Sequence, residues 1–220
     1  MLQSVETVRV WFRKAGAAKY ISHLDLTHCM GRALKLSRLP VWYTEGFNPR
    51  IYMTYAMPLS LGVAGERECM DIRLTQPVPY GEVADRLGRH LPQGLEVLGA
   101  AAPEHKLEET AWADYEIALE DGDSQSLQEA VTRLLGREAL LVKKHTKKGE
   151  REIDIKPVFA GTEVAPRPGG LLLTMRLPCS PSGSVNPGLL LEALKAYENR
   201  EPVAQITRLR LLLEDFSEIR

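Results

Sequence analysis

Three stretches of this 220-residue chain hold residue types whose spacing suits chemistry. The first runs from Trp42 to Tyr55 and carries Trp42, Tyr43, Phe47, Tyr52 and Tyr55, five of the fourteen aromatics in fourteen positions. Glu45-Gly46-Phe47-Asn48-Pro49-Arg50 sits in its middle. A Gly/Pro turn that presents Phe47, Asn48 and Arg50 beside Tyr43 and Glu45 can stack on an unpaired base and hydrogen-bond its edge. The plainer alternative is that Trp42, Phe47 and Tyr52 fill space between helix and sheet, since aromatics are common on half-buried strands. The second stretch is Tyr20-Ile21-Ser22-His23-Leu24-Asp25. A histidine at a helix start sits near the positive end of the dipole, which disfavours imidazolium. A neutral imidazole there suits general-base work. The alternative is capping alone, with Ser22 and Asp25 satisfying free amides.

The third stretch is Lys143-Lys144-His145-Thr146-Lys147-Lys148-Gly149-Glu150-Arg151, five positive charges against one negative. Lys143, Lys144, Lys147 and Lys148 suit contact with phosphates. A lysine-rich hairpin equally guards an edge strand from aggregation. Beyond it, Ile153-Asp154-Ile155-Lys156-Pro157 places Asp154 and Lys156 at i and i+2 of an expected strand, on one face, where they can pair with each other.

Several chemistries lack their signatures. There is no phosphate-binding glycine loop, no H-E-x-x-H and no G-x-S-x-G. Cys29, Cys69 and Cys179 are odd in number and far apart, which argues against a cluster, a structural zinc or a disulfide framework. No metal or cofactor is expected. The net charge of -1 means that any nucleic-acid role must rest on local patches. No apolar run of about 18 residues and no secretory signal is present, so a cytoplasmic chain without a membrane span is expected.

These residues need a scaffold. Alternation predicts strands at 8–13, 41–43, 51–56, 68–74 and 95–98, with helices from His23 to Ser37 and over 81–91. The same order recurs about 100–110 residues later. Strands are expected at 115–119, 139–144, 152–159, 171–177 and 203–213, with helices over 124–135 and 187–197. This predicts an α+β protein of two tandem ferredoxin-like β-α-β-β-α-β halves, with antiparallel sheets and both helices on one face of each. The halves would span 1–101 and 111–220, joined by a linker at 102–110.

Four motifs in order, Tyr20–Leu26, Glu45–Arg50, Met57-Pro58-Leu59-Ser60-Leu61-Gly62-Val63 and Ile153–Pro157, make the chain from Val8 to Leu213 resemble a known family. It is a bacterial family of radical-SAM-associated proteins of unknown function, whose domain occurs alone or fused behind a radical SAM protein with a cobalamin-binding-like domain. Arg50 departs from it, since histidine is the more frequent residue there. The resemblance implies a radical SAM partner, and its gene neighbourhood implies RNA as substrate class. The double layout also resembles CRISPR repeat-processing endonucleases, which implies His23 as base or acid, with Lys143 or Arg50 stabilising phosphorane charge. The Gly-rich loop that those enzymes carry near the C-terminus is absent here. The leading expectation is a non-catalytic accessory protein that binds RNA through Tyr43, Glu45, Phe47, Asn48, Arg50, Lys143, Lys144, Lys147, Lys148, Asp154 and Lys156. A metal-independent endonuclease using His23 and a protein–protein adaptor without RNA contact are the alternatives.

Overall fold

A computed structural model describes residues 5–146 and 149–220. Of residues 144–151 it describes at most the backbone. The protein is mixed α+β, with mostly antiparallel strand pairing and five α-helices among the described residues. The chain divides into two compact units. One comprises Met1–Ala111 with Arg208–Arg220, the other Trp112–Thr207.

The first unit runs β1 (Glu6–Lys14), a 3-10 turn at Gly16–Tyr20, α1 (His23–Leu36), β2 (Met53–Tyr55), β3 (Ala64–Leu74), α2 (Tyr80–Gly88) and β4 (Leu95–Ala101). Its strands lie in the order β4-β1-β3-β2. In the antiparallel β1–β3 ladder, Val8 faces Ile72, Val10 faces Met70 and Phe12 faces Glu68. Successive side chains of a strand point to opposite faces, so these six share one face and Arg9, Trp11, Cys69 and Asp71 share the other. The first face packs on Leu26, Met30, Ala33 and Leu34 of α1 and on Val83 and Leu87 of α2, all buried. Spacing of three and four within each helix creates these apolar stripes.

α1 starts where the sequence predicts. The Ser22 hydroxyl accepts from Asp25 N at 3.1 Å, and Asp25 accepts from Ser22 N at 3.3 Å. Both halves of a capping box are thus made. Ser37 carries the helix end, and its hydroxyl donates to Leu34 O at 2.7 Å. The expected strand at 41–43 reduces to two isolated bridges, Val41–Leu74 and Tyr43–Ile51. Pro40 has no N–H to donate, and among the described residues pairing with β3 is confined to Thr75 N on the Pro40 carbonyl at 2.7 Å and Trp42 N on the Arg73 carbonyl at 2.8 Å. Beyond Pro103, part of the expected linker forms a 3-10 turn at Leu107–Glu109 with Leu107 buried.

The second unit holds β5 (Trp112–Glu120), α3 (Ser124–Leu135), β6 (Leu141–Thr146), β7 (Gly149–Asp154), α4 (Lys156–Phe159), β8 (Glu163–Arg167), β9 (Gly170–Ser180), β10 (Gly183–Ser184) and α5 (Gly188–Glu198). The closing strand β11 (Val203–Leu212) gives its residues up to Thr207 to this unit. Here the strands lie in the order β8-β9-β5-β11, with β10 also on β9. β5 alternates cleanly. Ala113, Tyr115, Ile117 and Leu119 are buried, and the last three face Met175, Leu173 and Leu171 of β9. Leu127, Val131 and Leu134 of α3, with Leu190, Ala193 and Leu194 of α5, are buried with them. β6 and β7 form a separate two-stranded ribbon.

The expected strand over 152–159 breaks at Asp154. The carboxylate of Asp154 accepts from Leu140 N at 2.8 Å and Lys156 N at 2.9 Å, which turns the chain. Pro157, near the start of α4, suits a helix N-terminus and not a ladder, and the single turn buries Phe159 completely. Asp154 and Lys156 therefore do not share a strand face. Strand β8, for which the sequence carries no alternation signal, pairs with β9, and its Pro166 fits an edge position.

Candidate functional site

The aromatic stretch folds into an exposed tip. Thr44 N donates to Arg50 O at 2.8 Å, and Arg50 N donates to the Thr44 hydroxyl at 3.1 Å. These two bonds close a neck between Tyr43 and Ile51. Gly46 within the turn has φ +122, which side-chain-bearing residues rarely adopt. Phe47 is fully exposed, at 104% of its reference surface. Its place in the core, the plainer of the two sequence readings, is therefore excluded. Tyr43, Glu45, Asn48 and Arg50 are exposed as well. Trp42 and Tyr52 behind the neck are half-buried, edge to face at 5.9 Å. The Arg73 guanidinium lies over both, 4.1 Å from the Tyr52 centroid and 5.4 Å from that of Trp42. Cation–π contact of this kind stiffens the base of the tip.

His23 occupies the first position of α1 and meets the Tyr55 ring edge-on at 4.9 Å. Its pKa is held below the usual histidine value, first by partial burial and then by the Lys14 ammonium. The neutral imidazole expected from the helix dipole thus has two further causes. The Tyr55 hydroxyl is buried, and burial raises its pKa strongly.

Beside this pair lies a buried charge cluster that the sequence reading missed. Lys14, Glu68 and Arg208 are 1%, 3% and 2% exposed. Arg208 Nε donates to Glu68 Oε1 at 2.9 Å, Nη2 bonds the other carboxylate oxygen, and Nη2 also donates to Met57 O at 2.5 Å. Among the described residues, Lys14 Nζ donates to the carbonyls of Ile21 at 3.2 Å and Lys19 at 3.4 Å and to no carboxylate. Burial lowers its pKa, against the pull of Glu68. One signal was available: residues 8, 10, 12 and 14 have one parity, so β1 itself puts Lys14 toward the apolar face.

The basic ribbon lies in the second unit. Lys143 is exposed on β6. Lys144 is described as backbone only, and Lys147 and Lys148 lie outside the described residues. Asp154 and Lys156 make local structure. Asp154 caps the two amides named above, and Lys156 Nζ bonds Leu135 O. The geometry thus brings Tyr43, Glu45, Phe47, Asn48 and Arg50 together at one tip and leaves His23 with Tyr55 at the start of α1. Among the described residues, no group of three or more His, Cys, Asp or Glu side chains is arranged to hold a metal. No helix among them is long and apolar enough to cross a membrane.

Comparison with solved structures returns an unknown protein from Galdieria sulphuraria, 18% identical, over 93% of this chain and 99% of that one, at a TM-score of 0.27. None of the curated proteins matches the sequence. Residues 7–187 match the model of a bacterial family described as "Uncharacterized protein conserved in bacteria (DUF2344)". Since the match spans most of the chain, the protein belongs to this family.

Proposed function

We propose that this chain is a non-catalytic, cytoplasmic accessory protein that binds RNA and presents it to a radical SAM enzyme, and that its two units are both ferredoxin-like. One observation carries the reading: Phe47 is fully exposed at the end of a turn closed by the Thr44–Arg50 bonds, with Asn48 and Arg50 beside it. A soluble chain gains nothing for its own stability from a bare phenylalanine on a rigid tip. An aromatic face of this kind stacks unpaired bases with little regard to sequence. Arg50 adds a stacking or phosphate-binding group where histidine is more usual in the resembling family. The lysine run at 143–148 supplies sequence-independent attraction to phosphates.

The test is a salt titration of binding to a labelled single-stranded RNA. Affinity falls steeply with salt if phosphates are neutralised, with a slope of about −0.7 per contact. Phe47→Ala weakens binding without changing that slope, whereas Lys143→Ala lowers the slope. Absence of binding at low salt sinks the RNA reading and leaves the tip as a docking point for the radical SAM partner. Failure to co-purify with that partner sinks the accessory reading.

A second reading draws on the depressed pKa of His23 beside Tyr55 and Lys14. A neutral imidazole can deprotonate a 2′-hydroxyl without a metal. RNA cleavage in EDTA that vanishes in His23→Ala supports this reading, and cleavage insensitive to that change removes it.

A further inference from the structure

We infer that the face of the first unit's sheet opposite α1 and α2 carries a cleft for one unpaired guanine nucleotide. This rests on the RNA-binding reading for the source of the nucleotide, not for the cleft itself. The cleft measures about 480 Å³, within the range of small-molecule sites. Thr7 of β1, Thr54 of β2 and Asp71 and Arg73 of β3 form its floor, and Pro103–Glu109 forms its wall. Register explains the floor. Thr54 faces Asp71, and Thr7 faces Arg73, so hydroxyls and charges alternate across three strands.

Two polar groups in this cleft have hydrogen-bonding atoms that no protein group meets among the described residues. Arg73 is half-buried and fixed over Tyr52, yet among the described residues it donates no hydrogen bond and meets no carboxylate. Arg9, on the same sheet face, shows the contrast: its Nε and Nη2 donate to both oxygens of Asp71 at 2.7 and 2.9 Å. The second is His105, whose Nδ1 is buried without a hydrogen bond. A half-buried guanidinium fork with its donors unspent calls for a ligand with two adjacent acceptors.

Phosphate and the O6/N7 edge of guanine both offer that pair. The other walls favour guanine. Asp71 is largely neutralised by Arg9, and the remaining charged lining is three carboxylates, Glu104, Glu108 and Glu109, against two cations, Arg73 and Lys106. The three carboxylates would repel a phosphate. They suit the N1–H and N2–H donors that guanine carries next to its acceptors. Adenine offers a donor beside N7 and mismatches the fork. Tyr52 and Arg73, which line the cleft, also stack with Trp42 behind the neck of the tip.

The test is calorimetric titration of the full chain with GMP, guanosine, AMP and inorganic phosphate. Expected are GMP and guanosine within about threefold of each other, AMP at least tenfold weaker, and no saturable phosphate binding. Arg73→Lys keeps charge but loses the fork, and is expected to weaken GMP about tenfold with an unchanged thermal melt. Equal binding of AMP and GMP overturns the guanine assignment, as does full competition by phosphate. No GMP binding at millimolar concentration removes the cleft. Phe47→Ala separates the two ideas: it weakens RNA but leaves GMP affinity unchanged. RNA binding without GMP binding refutes the cleft alone, and GMP binding without RNA binding refutes the tip alone.

Discussion

Replacing Arg208 by methionine isolates the contribution of the buried ion pair to the first unit. Both partners are nearly inaccessible, and Arg208 Nε lies 2.9 Å from Glu68 Oε1. Two unit charges at about 4 Å attract by about 4 kcal/mol at an effective dielectric of 20. Breaking a buried pair from one side costs about 3–5 kcal/mol, because the other charge is left behind. The hydrogen bond to Met57 O adds about 1 kcal/mol. Lys14 stays near Glu68 as a second cation, which places Arg208→Met at the lower end, about 3 kcal/mol. Glu68→Gln strands Lys14 and Arg208 together, so it costs more, about 5 kcal/mol. The double variant Arg208→Met/Glu68→Gln leaves only Lys14, which is already biased toward its neutral form. It is expected to cost less than the sum of the singles by at least about 2 kcal/mol. Urea unfolding of the full chain, followed by circular dichroism and by tryptophan fluorescence, measures these values. A cost below about 1 kcal/mol for Arg208→Met, or additivity within about 0.5 kcal/mol, refutes the reasoning.

Four further outcomes follow from particular contacts. Phe47→Ala changes unfolding free energy by less than about 0.5 kcal/mol, since the ring is fully exposed, while weakening single-stranded RNA by about 1–3 kcal/mol. Its test pairs a denaturation curve with the binding assay. His23 takes up a proton less readily in the folded chain than in the unfolded one. Its contribution is therefore complete above the ordinary value of 6.5 and declines as pH falls below it toward the folded pKa. Thermal melts from pH 7 to 5 are expected to fall less steeply in His23→Gln than in the wild type. Gly94→Ala destabilises by about 1–3 kcal/mol, because φ is +91 and a new Cβ would lie 2.6 Å from the Ala15 carbonyl oxygen. An unchanged urea midpoint contradicts this. Cys69, its thiol pushed up to about 12 by burial, is expected to react with a thiol reagent only after unfolding, which a time course in native buffer checks.

Elements whose signals are local are legible in the sequence. The capping box at Ser22 and the apolar stripe of α1 both concern residues within one or two turns, and helix physics acts at that range. The same holds for β5, where burial follows the alternation of Ala113, Tyr115, Ile117 and Leu119. Errors came where a distant partner decided the outcome. The run from 152 to 159 alternates well enough for a strand. The amide of Leu140, fourteen residues away, draws the Asp154 carboxylate and ends it. Strand β8 has weak propensity with Pro166 and Arg167, and exists because β9 offers it an edge. Composition could locate the aromatic turn but not its exposure. Phe47 and Tyr52 are both aromatic and five residues apart, yet one is bare and the other lies beneath Arg73.

The buried charges carry the same lesson further. Lys14, Glu68 and Arg208 come from positions as far apart as 14 and 208, and each alone reads as an ordinary surface residue. Only Arg208–Arg220 returning to the first unit brings the arginine to its carboxylate. Burying a carboxylate is costly without a partner, so the fold keeps Glu68 inside at low cost only once its last strand has brought Arg208. Stability of the first unit is thereby tied to the C-terminal segment. A chain ending after Thr207 would hold Glu68 buried without the arginine that pairs with it. The unit comprising residues 1–111 is accordingly expected not to fold alone, and to recover when a peptide spanning Arg208–Arg220 is added. A cooperative urea transition from the isolated 1–111 fragment without that peptide would show that the charges are tolerated by some other means.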